Sequence, residues 1–154
     1  MFSNRFNWSY LVSAGIILSA ALSNCTLSSA GQDLAVQDPW ARAGTADTPG
    51  AVYLQVTNQT GEQETLLGGS SPKCGAVELH ETIVKEDGVM GMQPVAGGID
   101  IPAGEQITLQ PGGYHFMCIG KTEAFEAGST LPFELLFQVS GSYELDVPIQ
   151  TTEQ

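Results

Sequence analysis

From residue 51 onward the chain is written in short runs of alternating polarity, each closed by turn-forming residues. The runs are "AVYLQVTN" (51–58), "TLLGG", "AVELHETIV", "GVMGMQPV", "QITLQ", "YHFMCIG", "LPFELLFQVS" and "SYELDVPI". Between them stand "NQTGEQ", "KEDG", "AGGIDIPAGE", "QPGG" and "EAGST". Successive side chains of a strand point to opposite faces, so such a run buries every second residue. Val52, Leu54 and Val56 share one face, while Val77, Leu79 and Glu81 oppose Glu78, His80 and Thr82. No run keeps a helical period. Short strands at regular spacing with such turns predict a single all-β domain, a β-sandwich over roughly residues 33–150.

The first 31 residues do not fit this pattern. A single arginine, Arg5, precedes a mostly apolar run from Tyr10 to Leu22, followed by small residues. The run falls short of the roughly 20 residues that span a bilayer and matches a secretory signal peptide. Cleavage is expected near Ser29 to Gly31. Cys25 in "LSNC" opens a second route, a lipoprotein whose mature N-terminus is a lipidated cysteine. Either route places the domain in the periplasm or another extracytoplasmic space, free or tethered through Cys25.

Charge then removes one function class. The chain has 17 acidic and 5 basic residues, and the only base before Asp33 is Arg5, so residues 33–154 carry 17 acids and 4 bases. Such a surface repels phosphate backbones and offers no basic patch, which argues against nucleic-acid binding. There is no G-x-S-x-G and no zinc-protease spacing, and the expectation is a protein that is not an enzyme.

The residues able to carry chemistry are few. His80 and His115 are the only histidines, and apart from the initiator every methionine (Met90, Met92, Met117) lies between them or beside them. In "GGYHFMCIG", His115 and Met117 share one strand face while Tyr114, Phe116 and Cys118 share the other, which reads as core. His80 likewise sits opposite Val77 and Leu79. His-x-Met sets two soft donors about 7 Å apart along one strand. Imidazole and thioether form an uncharged set that selects Cu(I) over Mg and Ca, and over Zn. Taken singly, a strand histidine is usually a satisfied polar group and a methionine is usually core filler. Their coincidence on the non-core face points to a soft-metal site exposed to solvent.

The combined pattern "VELHET…GVMGMQPV…IPAGEQITLQPGGYHFM" resembles the periplasmic copper chaperones of the PCu(A)C type. Their signature is a His, a Met about ten residues on, and a His-x-Met about twenty residues later, among "IPAG" and "PGG" turns. "VQDPWAR" resembles the family's first strand and "LPFELLFQVSGSYELDVPI" its closing strands, so the likeness covers about residues 33–150. It implies a cupredoxin-like β-sandwich that binds one Cu(I) at an exposed site made by His80, Met92, His115 and Met117. It also implies a copper-accepting partner, such as the copper-centre subunit of a respiratory oxidase or a thiol-containing copper protein, or a wider part in copper homeostasis. Two departures stand out. Eleven residues separate His80 from Met92 instead of ten, which puts an extra residue in the "VKEDG" turn and leaves Met90 open as the ligand. Gln93 replaces the basic residue common after that methionine.

Two other functions remain open at this point. An electron-transfer blue-copper protein needs a thiolate beside two histidines, and Cys118 is adjacent in sequence although turned the other way. A metal-free interaction sandwich would make the His/Met face accidental. Cys74 and Cys118, an even pair in an oxidising compartment, can bridge on the core face, stay as two separate buried thiols, or lend Cys118 to the copper.

Overall fold

The computed structural model describes residues 34–151, and the leader with Cys25 lies outside them. Ten strands and no helix make up these residues: β1 (Leu34–Arg42), β2 (Gly50–Asn58), β3 (Glu64–Ser70), β4 (Cys74–Val84), β5 (Met90–Pro94), β6 (Ile99–Ile101), β7 (Gln106–Leu109), β8 (Tyr114–Lys121), β9 (Thr130–Phe137) and β10 (Gly141–Gln150). The hydrogen-bonded order is β5-β4-β8-β7-β2-β1-β10-β9-β3-β6, with β8 also pairing β2. β1 and β10 run parallel only at Ala41↔Ile149 and Arg42↔Gln150, and this short seam joins a sheet ending in β1 to a sheet beginning with β10. The two sheets fold over one core as a cupredoxin-like β-sandwich.

The alternation read from the sequence builds that core. Val52, Leu54 and Val56 of β2, Leu79 of β4, and Phe116 and Cys118 of β8 meet Leu131, Phe133, Leu135 and Phe137 of β9 and Val147 and Ile149 of β10. Phe116 and Phe133 touch across the layers with ring centroids 5.3 Å apart. Two elements differ from the expectation. "IDI", expected to be part of a turn, pairs as β6 with β3 at Glu64↔Ile101 and Leu66↔Ile99. Its alternation was too short to stand out, yet Ile101 is completely buried. β1 is also bulged: the register with β2 shifts between Gln37 and Trp40, where Asp38 takes a left-handed φ of 48°. The extra residue sends Ala41 to the core and turns Trp40 to the outer face, where it packs on Tyr53 at 4.5 Å.

Glu64 is a charged residue inside this hydrophobic frame. It is 2% exposed, and its carboxylate accepts the backbone N–H groups of Thr65 (2.8 Å), Val139 (2.9 Å) and Ser140 (2.8 Å). Burial alone favours the neutral acid, but these donors outweigh it and hold the pKa below the ordinary glutamate value. A lowered folded-state pKa adds stability above the unfolded value and withdraws it as pH falls through the folded one. Glu64→Gln, which sets an amide against a backbone donor, is expected to cost about 2 kcal/mol at pH 7. It should also flatten the loss of stability on acidification below about pH 4. Thermal melts at pH 7 and pH 3.5 check both; an unchanged acid limb would show that Glu64 is not its source.

Candidate metal centre

The outer face of the β5-β4-β8-β2 region gathers the residues singled out in the sequence. β4 and β8 pair in register with His80 directly opposite His115, and Glu78 opposite Met117. On the far side of β8, Met117 stands opposite Ala51 of β2. On the far side of β4, β5 sets Met92 opposite Thr82 and Met90 opposite Val84. Period-two alternation therefore places His80, His115, Met117, Met92 and Met90 on one face, with Leu79 and Phe116 behind them in the core. The hairpin that delivers both β5 methionines is compact. Gly88 N–H donates to Lys85 C=O at 2.9 Å, and Lys85 N–H to Val89 C=O at 2.9 Å. Gly88 takes the positive φ of 79° that such a three-residue loop requires.

One expectation is corrected here. The two histidines take the non-core face but are not exposed on it: His80 is 8% and His115 is 4% exposed. Neighbouring rings crowd the imidazoles at this point. Tyr53, itself buried against Trp40, lies 6.3 Å from the His115 ring, and the His80 and His115 rings stand 6.0 Å apart, nearly edge-on. Alternation tells which face a residue takes but not what covers that face, so the sequence misplaced the imidazoles in depth. The thioethers behave differently. Met90 (63%) and Met92 (60%) are exposed and Met117 is half-buried. The donors therefore differ in depth, the nitrogens buried and the sulfurs nearer the surface. A cavity of about 720 Å³ opens over it, lined among others by Tyr53, Thr82, Met90, Met92, His115 and Met117.

Hydrogen bonds orient both rings. His80 Nε2 lies 2.8 Å from a Glu78 carboxylate oxygen, and its buried Nδ1 has no hydrogen-bond partner among the described residues. His115 Nδ1 lies 3.1 Å from Gly113 C=O. Glu78 and the Trp40–Tyr53 stack were not singled out in the sequence. The Glu-x-His spacing does place Glu78 on the histidine face and could have drawn attention to it. Trp40 could not be found that way, because the β1 bulge reverses its parity.

The cysteines are settled by the structure. Cys74 and Cys118 form a disulfide between β4 and β8, with Cα atoms 5.4 Å apart. Cys118 is completely buried on the core face. It therefore supplies no thiolate, either as an extra copper ligand or for a blue-copper centre, which needs one. The remaining donor set is two imidazoles and up to three thioethers. Among the described residues no group of three or more His, Cys, Asp or Glu side chains is placed to hold a metal. That chemistry suits a soft monovalent cation and does not suit zinc or calcium.

Comparison with known proteins agrees with the architecture. A family model described as "Putative lipoprotein LpqE-like" matches residues 34–149. "Putative lipoprotein Lxx21020" of Leifsonia xyli subsp. xyli (strain CTCB07) is 30% identical over 115 residues, 75% of this chain and 68% of that protein. Among solved structures, the apo PCuAC domain from PmoF1 is similar at TM-score 0.63 and 23% identity, covering 78% of this chain and 95% of that one. The copper-bound PCuAC domain from PmoF2 gives 0.64 and 21%, covering 78% and 94%. The Cu(I) form of DR1885 from Deinococcus radiodurans gives 0.58 and 23%, covering 79% and 83%. The fold is that of the PCuAC domains.

Proposed function

The chain belongs to the LpqE-like family, and we propose that it is an extracytoplasmic carrier that binds one Cu(I) through His80, Met92, His115 and Met117. The observation that carries this reading is a donor set graded in depth on one face: two buried imidazoles paired across β4 and β8, with the exposed Met92 and half-buried Met117 beside them. Support comes also from the solved PCuAC domains of like fold, two of which are described as copper-bound or as the Cu(I) form. Relatives named as lipoproteins agree with a lipid anchor at Cys25 that would hold the domain at a membrane surface.

This difference in depth suggests how such a carrier releases its cargo. Imidazoles fixed in the sheet hold the ion on the buried side, and the more exposed thioethers hold it on the solvent side. Thiolates of an acceptor can replace the methionines one at a time, so copper need never be free in solution. The acceptor on this reading is a copper-centre subunit of a respiratory oxidase or another thiol-bearing copper protein. Mixing Cu(I)-loaded protein with the apo copper-centre domain of such a subunit, then separating the two, is expected to find the metal on the acceptor. Copper retained by this chain in the presence of excess acceptor would contradict the carrier role.

The register favours Met92 over Met90 as the β5 ligand. Met92 is opposite Thr82 and so lies diagonally next to His80, whereas Met90 is one further pair away. Met92→Ala is expected to weaken Cu(I) binding by about tenfold or more, near 1.4 kcal/mol, and Met90→Ala by less than about threefold. Competition titration of the two variants gives the order directly, and the reverse order would assign Met90 as the ligand.

A further inference from the structure

A histidine can bind a metal through either nitrogen, and the hydrogen bond made by the other nitrogen decides which. We propose that Glu78 is a positioning residue for the site: its carboxylate holds His80 in the Nε2–H tautomer, so that copper is taken by Nδ1 of His80 and, on the opposite strand, by Nε2 of His115. This rests on the Cu(I) reading of the same face.

The contacts of the two rings lead to opposite assignments. An ionised carboxylate only accepts hydrogen bonds, so the 2.8 Å contact from Glu78 places the proton on His80 Nε2. Nδ1 is then left with its lone pair, buried and without a partner among the described residues. The other tautomer is worse at both ends: the Nε2 lone pair would face the carboxylate, and a buried Nδ1–H would have nothing to donate to. At His115 the fixed acceptor is the Gly113 carbonyl, 3.1 Å from Nδ1, which places the proton there and frees Nε2. That carbonyl is itself held by β4, since it accepts the Thr82 N–H at 3.1 Å. A native structure rarely leaves a buried nitrogen unsatisfied without a reason, and here the unsatisfied atom belongs to one of the two candidate nitrogen ligands.

Glu78 is well placed for this role and unimportant for packing. Its side chain is 46% exposed, at strand position i−2 from His80 and opposite Met117 across β8. Its removal should therefore change the ring's proton and leave the sandwich alone.

The test uses ¹⁵N-histidine-labelled apo protein, reading tautomers from long-range ¹H–¹⁵N correlations, for wild type, Glu78→Gln and Glu78→Leu. In the wild type, His80 should show a proton-free Nδ1 and a protonated Nε2, and His115 the reverse. Glu78→Gln, whose side-chain oxygen still accepts from Nε2–H, should keep the tautomer and stay within about threefold of wild-type Cu(I) affinity, whereas Glu78→Leu should lose the tautomer and about 10–100-fold in affinity. Melting temperatures of the three should agree closely. A protonated Nδ1 at His80 in the wild type, or unchanged tautomer and affinity in Glu78→Leu, overturns the role of Glu78 alone. Wild-type protein that binds no Cu(I) overturns the carrier reading together with it.

Discussion

Cu(I) affinity is expected to fall by on the order of 10,000-fold when His80 and Met117 are both replaced by alanine, at about 1.4 kcal/mol for each factor of ten. The two residues represent the two depths of the site. His80 is a buried imidazole with a nitrogen unpartnered among the described residues, and Met117 is a half-buried thioether two residues from the other imidazole. Removing one from each strand leaves His115 and Met92 on separate strands, β8 and β5, which are joined only through β4. Two well-separated donors cannot enclose an ion that the four proposed ligands would surround. The fold should survive the change. Leu79, Phe116 and Cys118 lie on the opposite face of the same strands and keep their packing against β9 and β10. Emptying the His80 position costs some stability, about 2 kcal/mol by analogy with other buried truncations. Near-UV circular dichroism of the apo variant should therefore match the wild type while copper uptake is lost. Full retention of affinity in the double variant would remove this face as the site.

The second large effect concerns stability. Replacing Cys74 and Cys118 together by alanine is expected to cost about 4 kcal/mol, because the bridge closes a loop across 44 residues of sequence in the unfolded chain. For a domain of this size that is a fall of roughly 15 °C in melting temperature. The bridge joins the same two strands that carry His80 and His115, but on the core side. The ladder from Ala76↔Ile119 to Glu81↔Tyr114 holds these strands in register without it. Copper affinity should accordingly change far less than stability. Peptide mapping of denatured, unreduced protein should recover the linked Cys74–Cys118 peptides, and a fall of only one or two degrees in the variant would show that the bridge adds little.

Period-two alternation carried much of the fold. It placed Val52, Leu54, Val56, Leu79, Phe116 and Cys118 on the core side, where the structure has them. It also set His80, His115 and Met117 on a common face before any pairing of strands was known. Three things were beyond it. The three residues of β6 are too few to show a period. The β1 bulge inserts a residue that no composition rule announces, and it reverses the face taken by Trp40. Depth is the third: the strands flanking β8 and the Trp40–Tyr53 stack bury imidazoles on what alternation alone would call an outer face. The cysteine pairing was open for a related reason. Parity showed that Cys118 faces the core, but not its partner: the β4–β8 register sets Cys118 opposite Val77, and only the folded chain brings the Cys74 Cα to 5.4 Å from it.

This face is expected to hold one Cu(I) ion, and a competition titration of the wild-type protein against a chromophoric Cu(I) chelator reads that out. The protein should withdraw one equivalent of copper from the chelator, with a sharp endpoint that His80→Ala/Met117→Ala loses. A titration in which the wild type and that double variant leave the chelator's spectrum equally unchanged would contradict that expectation.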